Sequence, residues 1–169
     1  MVKAKVDLEK LYDLAGGQAV TLAAEMFEFK AYWLQHPEIG GFLNRPEYHL
    51  TARREIIEKL GVGHSDIFQQ LLALLLENGL LTELPWLTEK FLLLVEKRQQ
   101  LQFAELETAG PLGLAELEKI KKTFGPRLRY RQVIKPEIGG GFILKFIDGK
   151  VFDASVSGEL DRLRLEMAK

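Results

Sequence analysis

Close to residue 105 the apolar residues of this chain change their spacing, from the three-and-four of a helix to the two of a strand. A chain whose strand-like spacing appears only beyond such a point is confined to a helical part followed by a part containing sheet. Before the change, every segment reads as helix. A first helix over about Lys5 to Ala15 stops at Gly16-Gly17, a pair suited to a helix end. The second, about Gln18 to His36, carries two adjacent apolar stripes: Val20, Ala23, Phe27, Ala31 and Leu34, then Leu22, Met26, Phe29 and Trp33. Such a helix belongs in the middle of a bundle. Two shorter helices follow, about Pro37 to Leu43 and about Tyr48 to Leu60. A fifth runs from Ser65, its N-cap, to Asn78. The sixth is expected to be capped by Thr82, with Pro85 in its first turn and Leu84, Leu87, Phe91, Leu94 and Leu101 as its buried edge.

Beyond this point Phe103 to Thr108 reads as extended, Leu114 to Phe124 as a helix closed by Gly125-Pro126, and Arg127 to Ile134 as a strand. In that strand Leu128, Tyr130 and Ile134 face one side, and Arg127, Arg129 and Arg131 the other. Phe142 to Ile147 and Val151 to Phe152 form two more strands around a tight Asp148-Gly149 turn, and Ser155 caps a closing helix to about Met167. The fold class is mainly α: a six-helix N-terminal bundle, residues 1–104, followed by a small α+β C-terminal domain, residues 105–169.

At 47% hydrophobic and 28% charged residues, the chain is expected to pack as a globule rather than to remain disordered. Its net charge of −1 gives no whole-chain attraction to nucleic acid or to an anionic membrane. There is no cysteine, which removes disulfides, thiolate metal sites and cysteine nucleophiles. The most apolar run, Leu71 to Leu76, is interrupted by Glu77 and Asn78 and is far shorter than the roughly 20 residues of a membrane span. Asp7 and Glu9 precede any long apolar stretch, unlike a secretory signal.

Residues that could carry chemistry are scattered. Gly139-Gly140-Gly141 precedes a strand and is followed by Phe142, whereas a phosphate loop places its glycines between a strand and a helix, usually with a lysine after them. It reads as a turn or bulge leading into the strand. His36, His49 and His64 are not spaced at i, i+3 or i+4, so metal-ligand spacing is missing. Ser155 lacks the glycine elbow of a nucleophilic serine. No catalytic residue, metal site or cofactor is expected. The one strong charge feature is Lys119 to Lys135, with seven Lys or Arg and no acid, interleaved with Phe124 and Tyr130. Basic strands carrying aromatics can bind RNA, but Tyr130 falls on the Leu128 side, away from the arginines.

One family is resembled in order along nearly the whole chain. Ile138-Gly-Gly-Gly-Phe142 and Ile147-Asp-Gly-Lys-Val-Phe-Asp-Ala-Ser-Val156 resemble the C-terminal region of the delta subunit of F-type ATP synthases, the family of the mitochondrial oligomycin-sensitivity-conferring protein. Tyr12-Asp-Leu-Ala15, Phe42-Leu-Asn-Arg-Pro46, Glu77-Asn-Gly79 with Leu84-Pro85 and Phe91, and Glu107-Thr-Ala-Gly-Pro-Leu112 fit the same family's successive segments. Two places depart from it: Val6-Asp7-Leu8 stands where the family usually has Arg-Tyr-Ala, and Asp153-Ala-Ser155 where it has Asp-Gly-Ser.

The resemblance implies a non-catalytic subunit of the peripheral stalk, which ties the catalytic head to the static membrane sector so that the head does not turn with the proton-driven rotor. It implies an alpha-subunit N-terminal helix held between the first and fifth helices, at positions including Lys10, Leu14, Gln70 and Leu74. It also implies a C-terminal region that meets the long b-subunit helices, where the basic face of Arg127, Arg129 and Arg131 suits acidic residues. Membrane contact would then be indirect, through these partners, with no nucleic acid involved. The lack of a targeting segment favours the cytoplasmic face of a bacterial membrane. The rival expectation is a free RNA-binding protein that uses residues 119–135.

Overall fold

The computed structural model describes residues 6–160. The chain is mostly helical, with seven α-helices and the start of a further one among the described residues, and one four-stranded sheet near the C-terminus. It divides into two compact units, Met1–Arg98 and Gln99–Lys169. The expected join at residue 105 instead falls inside a strand, because the extended run begins at Gln102.

In the first unit α1 spans Leu8–Ala15, and Asp7 caps it by accepting from the Lys10 N–H at 3.2 Å. After a 3-10 turn at Gly16–Gln18, α2 runs through Ala19–Gln35 and buries Leu22, Ala23, Met26, Phe27, Phe29 and Trp33. Residues from both expected stripes are therefore covered, although Leu34 is left exposed. Pro37 opens α3 (Pro37–Leu43), and α4 covers Leu50–Gly61.

The fifth helix, α5, spans Asp66–Glu77 behind the Ser65 cap. Its end is a Schellman turn. Leu80 N–H donates to the Leu75 carbonyl at 2.8 Å, and Gly79 N–H to Leu76 at 3.1 Å, with Gly79 at φ +66°. Thr82 does not cap the next helix. It lies within a 3-10 turn, Leu81–Glu83, and α6 follows as Leu84–Gln99. The buried edge of α6 is Leu84, Leu87, Thr88, Phe91, Leu92 and Val95, so it curves away from the expected Leu94, and Leu101 lies beyond the helix. Thr88 is tolerated in this core because its hydroxyl donates to the Leu84 carbonyl at 2.8 Å.

The second unit is built on β1 (Gln102–Thr108), α7 (Leu114–Phe124), β2 (Leu128–Ile134), β3 (Gly141–Phe146) and β4 (Val151–Ser155), in the order β2-β1-β3-β4. β1 runs parallel to β2 and antiparallel to β3, with β4 antiparallel on the far side of β3. A parallel neighbour requires a crossover, and α7 supplies it. The core gathers Ala104, Leu106, Ile120, Leu128 and Leu144, with Leu117, Phe124, Tyr130, Phe142 and Phe146 packed around them. Phe124 meets Phe152 edge-on at 5.1 Å between ring centroids. Residues 156–160 are helical, and the Ser155 hydroxyl caps them by accepting from Gly158 N–H at 3.1 Å. The expected extension of this helix to Met167 lies outside the described residues.

Glu107 projects from the face of β1 opposite Leu106, nearly wholly buried. Its carboxylate accepts from Lys135 at 2.5 Å and from Lys145 at 2.7 Å. Burial pushes this carboxyl up, but hydrogen bonds from the two ammonium groups, together with their charge, outweigh it and hold it below the usual carboxylate range. A carboxyl lowered on folding contributes stability that is complete above its unfolded value of about 4.3 and is lost as pH falls through the folded value. Glu107→Gln is therefore expected to cost about 1–3 kcal/mol near neutral pH and to lose less than the parent on acidification. Thermal melts of the two proteins across pH 3 to 7 check this. Parallel curves would show that the carboxylate contributes nothing pH-dependent.

Candidate partner-binding surfaces

The first unit has a recess of about 640 Å³ between the start of α1 and α6, and a smaller one between α1 and α5. In the α1/α5 recess Leu11 and Leu14 form one wall, Ile67, Gln70, Leu71 and Leu74 the other, and Gln18 and Asp66 lie at its margin, around about 420 Å³. The α5 residues recur at i, i+3, i+4 and i+7, which places them on one face of that helix. The helix's remaining apolar face is buried through Phe68, Leu72, Leu75 and Leu76. Leu14 and Leu74 stand 80% and 49% exposed, so the groove presents two large aliphatic side chains to solvent.

Both walls are held from behind. Glu25 on α2 accepts from Ser65 N–H at 2.6 Å and from the Ser65 hydroxyl at 2.5 Å, which fixes the start of α5 against α2. Phe68 packs on Phe29 at 5.3 Å between ring centroids. Arg98, in the last turn of α6, pairs with Glu9 at 2.5 Å and lies over the Tyr12 ring at 5.5 Å, which ties α1 to α6.

Of the expected helix-binding residues, Leu14, Gln70 and Leu74 line this groove. Lys10 is not on its walls; its ammonium lies 3.7 Å from Asp7. Leu11, Ile67 and Leu71 were missed, although the helical spacing from Leu14, Gln70 and Leu74 would have reached them.

The three arginines do not form one uniform basic face. β2 is an edge strand. Arg127 donates to the Gln100 side chain at 2.9 Å, and Arg129 to the Pro126 and Leu128 carbonyls at 2.9 and 3.2 Å, both residues being exposed. Arg131 is different. The parallel register sets it opposite Glu105, and the two pair at 2.6 Å with the arginine side chain only 14% exposed. Tyr130, the aromatic that an RNA platform would need, is packed against the sheet core. Lys135, at the end of the basic run, is taken up by Glu107, whose carboxylate raises its pKa. His36 lies 3.0 Å from Glu38, and His64 3.9 Å from Glu25. Among the described residues no group of three His, Cys, Asp or Glu is placed to hold a metal ion, and no helix is long and apolar enough to cross a membrane.

Residues 9–167 match the family model described as "ATP synthase delta (OSCP) subunit". The chain belongs to the ATP synthase delta (OSCP) subunit family. It is 27% identical over 154 residues to a protein named ATP synthase subunit delta from Citrifermentans bemidjiense, covering 88% of this chain and 85% of that one. To the same-named protein of Halalkalibacterium halodurans it is 28% identical over 165 residues, covering 93% and 90%. To that of a Synechococcus strain it is 29% identical over 168 residues, covering 95% and 92%. Among solved structures, a chain of the Toxoplasma gondii mitochondrial ATP synthase hexamer is similar in fold, with a TM-score of 0.59 at 18% identity over 96% of this chain and 95% of that one. Membership of the delta (OSCP) family fits ATP synthesis and a stator role, and agrees with the resemblance of the Ile138–Phe142 and Ile147–Val156 segments.

Proposed function

We propose that this chain is a non-catalytic peripheral-stalk subunit of a rotary F-type ATP synthase, working at the cytoplasmic face of a bacterial membrane and reaching that membrane only through its partners. The first unit holds the amphipathic N-terminal helix of an alpha subunit between α1 and α5. The second meets the b-subunit helices. Such a part resists torque: when the proton-driven rotor turns, the head stays fixed because a static arm holds it. The task calls for broad interfaces and no reacting group.

The observation that carries this reading is the α1/α5 groove in a member of this family. Two exposed leucines, Leu14 and Leu74, face each other across about 420 Å³ of open space on helices fixed from behind. An apolar helix laid into such a groove is a recurring recognition mode. Lys10 lies on α1 one turn before Leu14 and supplies a positive charge on that helix. On the second unit, Arg127 and Arg129 offer exposed guanidinium groups that raise the rate of encounter with an acidic helix more than they add affinity. Arg131 supports that face through its pair with Glu105.

A peptide of the alpha-subunit N-terminus, titrated into the full chain, tests the reading. Leu74→Asp places a charge where an apolar contact is needed, and at a half-exposed site it leaves the helix core untouched. Binding is expected to weaken by on the order of 10- to 100-fold, or about 1.4–2.8 kcal/mol, with an unchanged circular dichroism spectrum. An unchanged affinity in the folded variant would move the helix site elsewhere.

A further inference from the structure

The second unit contains a recess whose lining includes none of Arg127, Arg129 and Arg131. It is an open cleft bounded by the turn after β1, the outer part of α7 and the glycine-rich lead into β3, with a volume of about 420 Å³. Its walls are mainly apolar, through Pro111, Leu112, Ile120 and Phe142, with Lys119 and Glu116 on the α7 side. That size lies within the range of small-molecule sites, about 300–1,000 Å³.

The polar groups on these walls are not equivalent. Thr123 donates its hydroxyl to the Lys119 carbonyl at 2.9 Å, so its proton is spent within α7. Glu116 accepts from Gly113 N–H at 2.9 Å, which closes the first turn of α7 and fixes a carboxylate at the margin. Lys119, one turn further on, makes no ion pair among the described residues. The recess therefore offers an apolar body, one uncommitted ammonium donor and one fixed negative charge about a helical turn away.

We propose that this recess binds a small amphipathic monocarboxylate, a medium-chain fatty acid in chemical class, with its carboxylate on Lys119 and its tail against Leu112, Ile120 and Phe142. A charge-assisted bond from the ammonium orients the head. The fixed Glu116 carboxylate disfavours a second negative charge, so a dicarboxylate or phosphate of similar size binds less well. The apolar walls make affinity rise with tail length, by roughly three- to fourfold per methylene while the tail remains in the recess.

The test is a titration of the full chain with butanoate, hexanoate, octanoate and decanoate, kept below micelle formation, followed by amide and methyl NMR shifts. The expected result is saturable binding that tightens along the series, with shifts centred on Ile120, Thr123 and Phe142. Lys119→Gln should weaken decanoate at least tenfold while Lys119→Arg retains most of the affinity; both changes fall on an exposed helix position. Neutral decanol should bind no better to the parent than to Lys119→Gln. Non-saturable binding, shifts elsewhere in the molecule, or equal decanoate affinity of the parent and Lys119→Gln would each overturn the assignment. None of these readouts depends on the α1/α5 groove or on assembly with other subunits, so failure here leaves the stalk reading standing.

Discussion

Gly141→Ala is expected to be the most damaging single-methyl change in the second unit. Gly141 opens β3 at φ +71°, a left-handed conformation costly to any side chain. A Cβ built there lies 2.1 Å from the Ala154 carbonyl oxygen on the neighbouring strand. Neither atom can yield without opening the Gly141↔Ser155 pairing, which anchors β4 and the cap of the closing helix. The two costs together come to about 3–4 kcal/mol, which in a unit of this size lowers the melting temperature by on the order of 12–32 °C. Gly17→Ala is the matched control. That glycine has no left-handed φ and nothing within 4 Å of the added carbon, so it should be neutral or slightly stabilising. Equal melting temperatures for the two variants would mean that the β3–β4 pairing at Gly141 relaxes far more easily than its geometry implies.

Phe68→Ala is expected to be the counterpart in the first unit. Phe68 is fully buried, lies edge-on to Phe29 and packs against His64 at 4.8 Å between ring centroids. Loss of a buried phenyl ring typically costs about 3–5 kcal/mol, a large share of the roughly 5–15 kcal/mol that holds a domain together. The consequence for function follows from position. Phe68 lies on the buried side of α5, and Ile67, Gln70 and Leu74 on the side facing the groove. Loosening the inner face should therefore weaken helix binding without touching a groove residue. Hydrogen exchange of α5 amides, read alongside peptide affinity, checks the pair of effects. Fast exchange with full affinity would separate the groove from the packing beneath it.

What could be read from the sequence was whatever depends on near neighbours. Pro37 starting α3, the Ser65 cap of α5, the Leu114–Phe124 limits of α7 and the Asp148-Gly149 turn are all set by residues within a few positions of one another. The errors lie where distant residues decide. Thr82 is a plausible cap by local chemistry, yet the chain forms a 3-10 turn there with Leu81 buried. Leu94 and Leu101 fit a helical stripe, but the bundle buries Leu92 and Val95 instead.

The same division runs through the candidate surfaces. The groove residues Leu14, Gln70 and Leu74 follow from the family resemblance. The pairing of Arg131 with Glu105 depends on a parallel register between strands 26 residues apart, and the Glu25–Ser65 contact bridges 40 residues. No local pattern announces either one. The basic strand therefore looked like three equivalent arginines when only two of them are exposed.

The central place of β1 in its sheet has a consequence for how the chain is made. Both neighbours of β1 are synthesised after it: β2 begins at Leu128 and β3 at Gly141. Chains emerge N-terminus first at roughly 5–20 residues per second, so this strand waits on the order of seconds for either edge to be filled. The helical unit, complete at Arg98, has no such wait. During synthesis the strand is thus the segment most open to pairing with a wrong partner, and Glu105 and Glu107 along it are the charges that guard against this until their cations arrive.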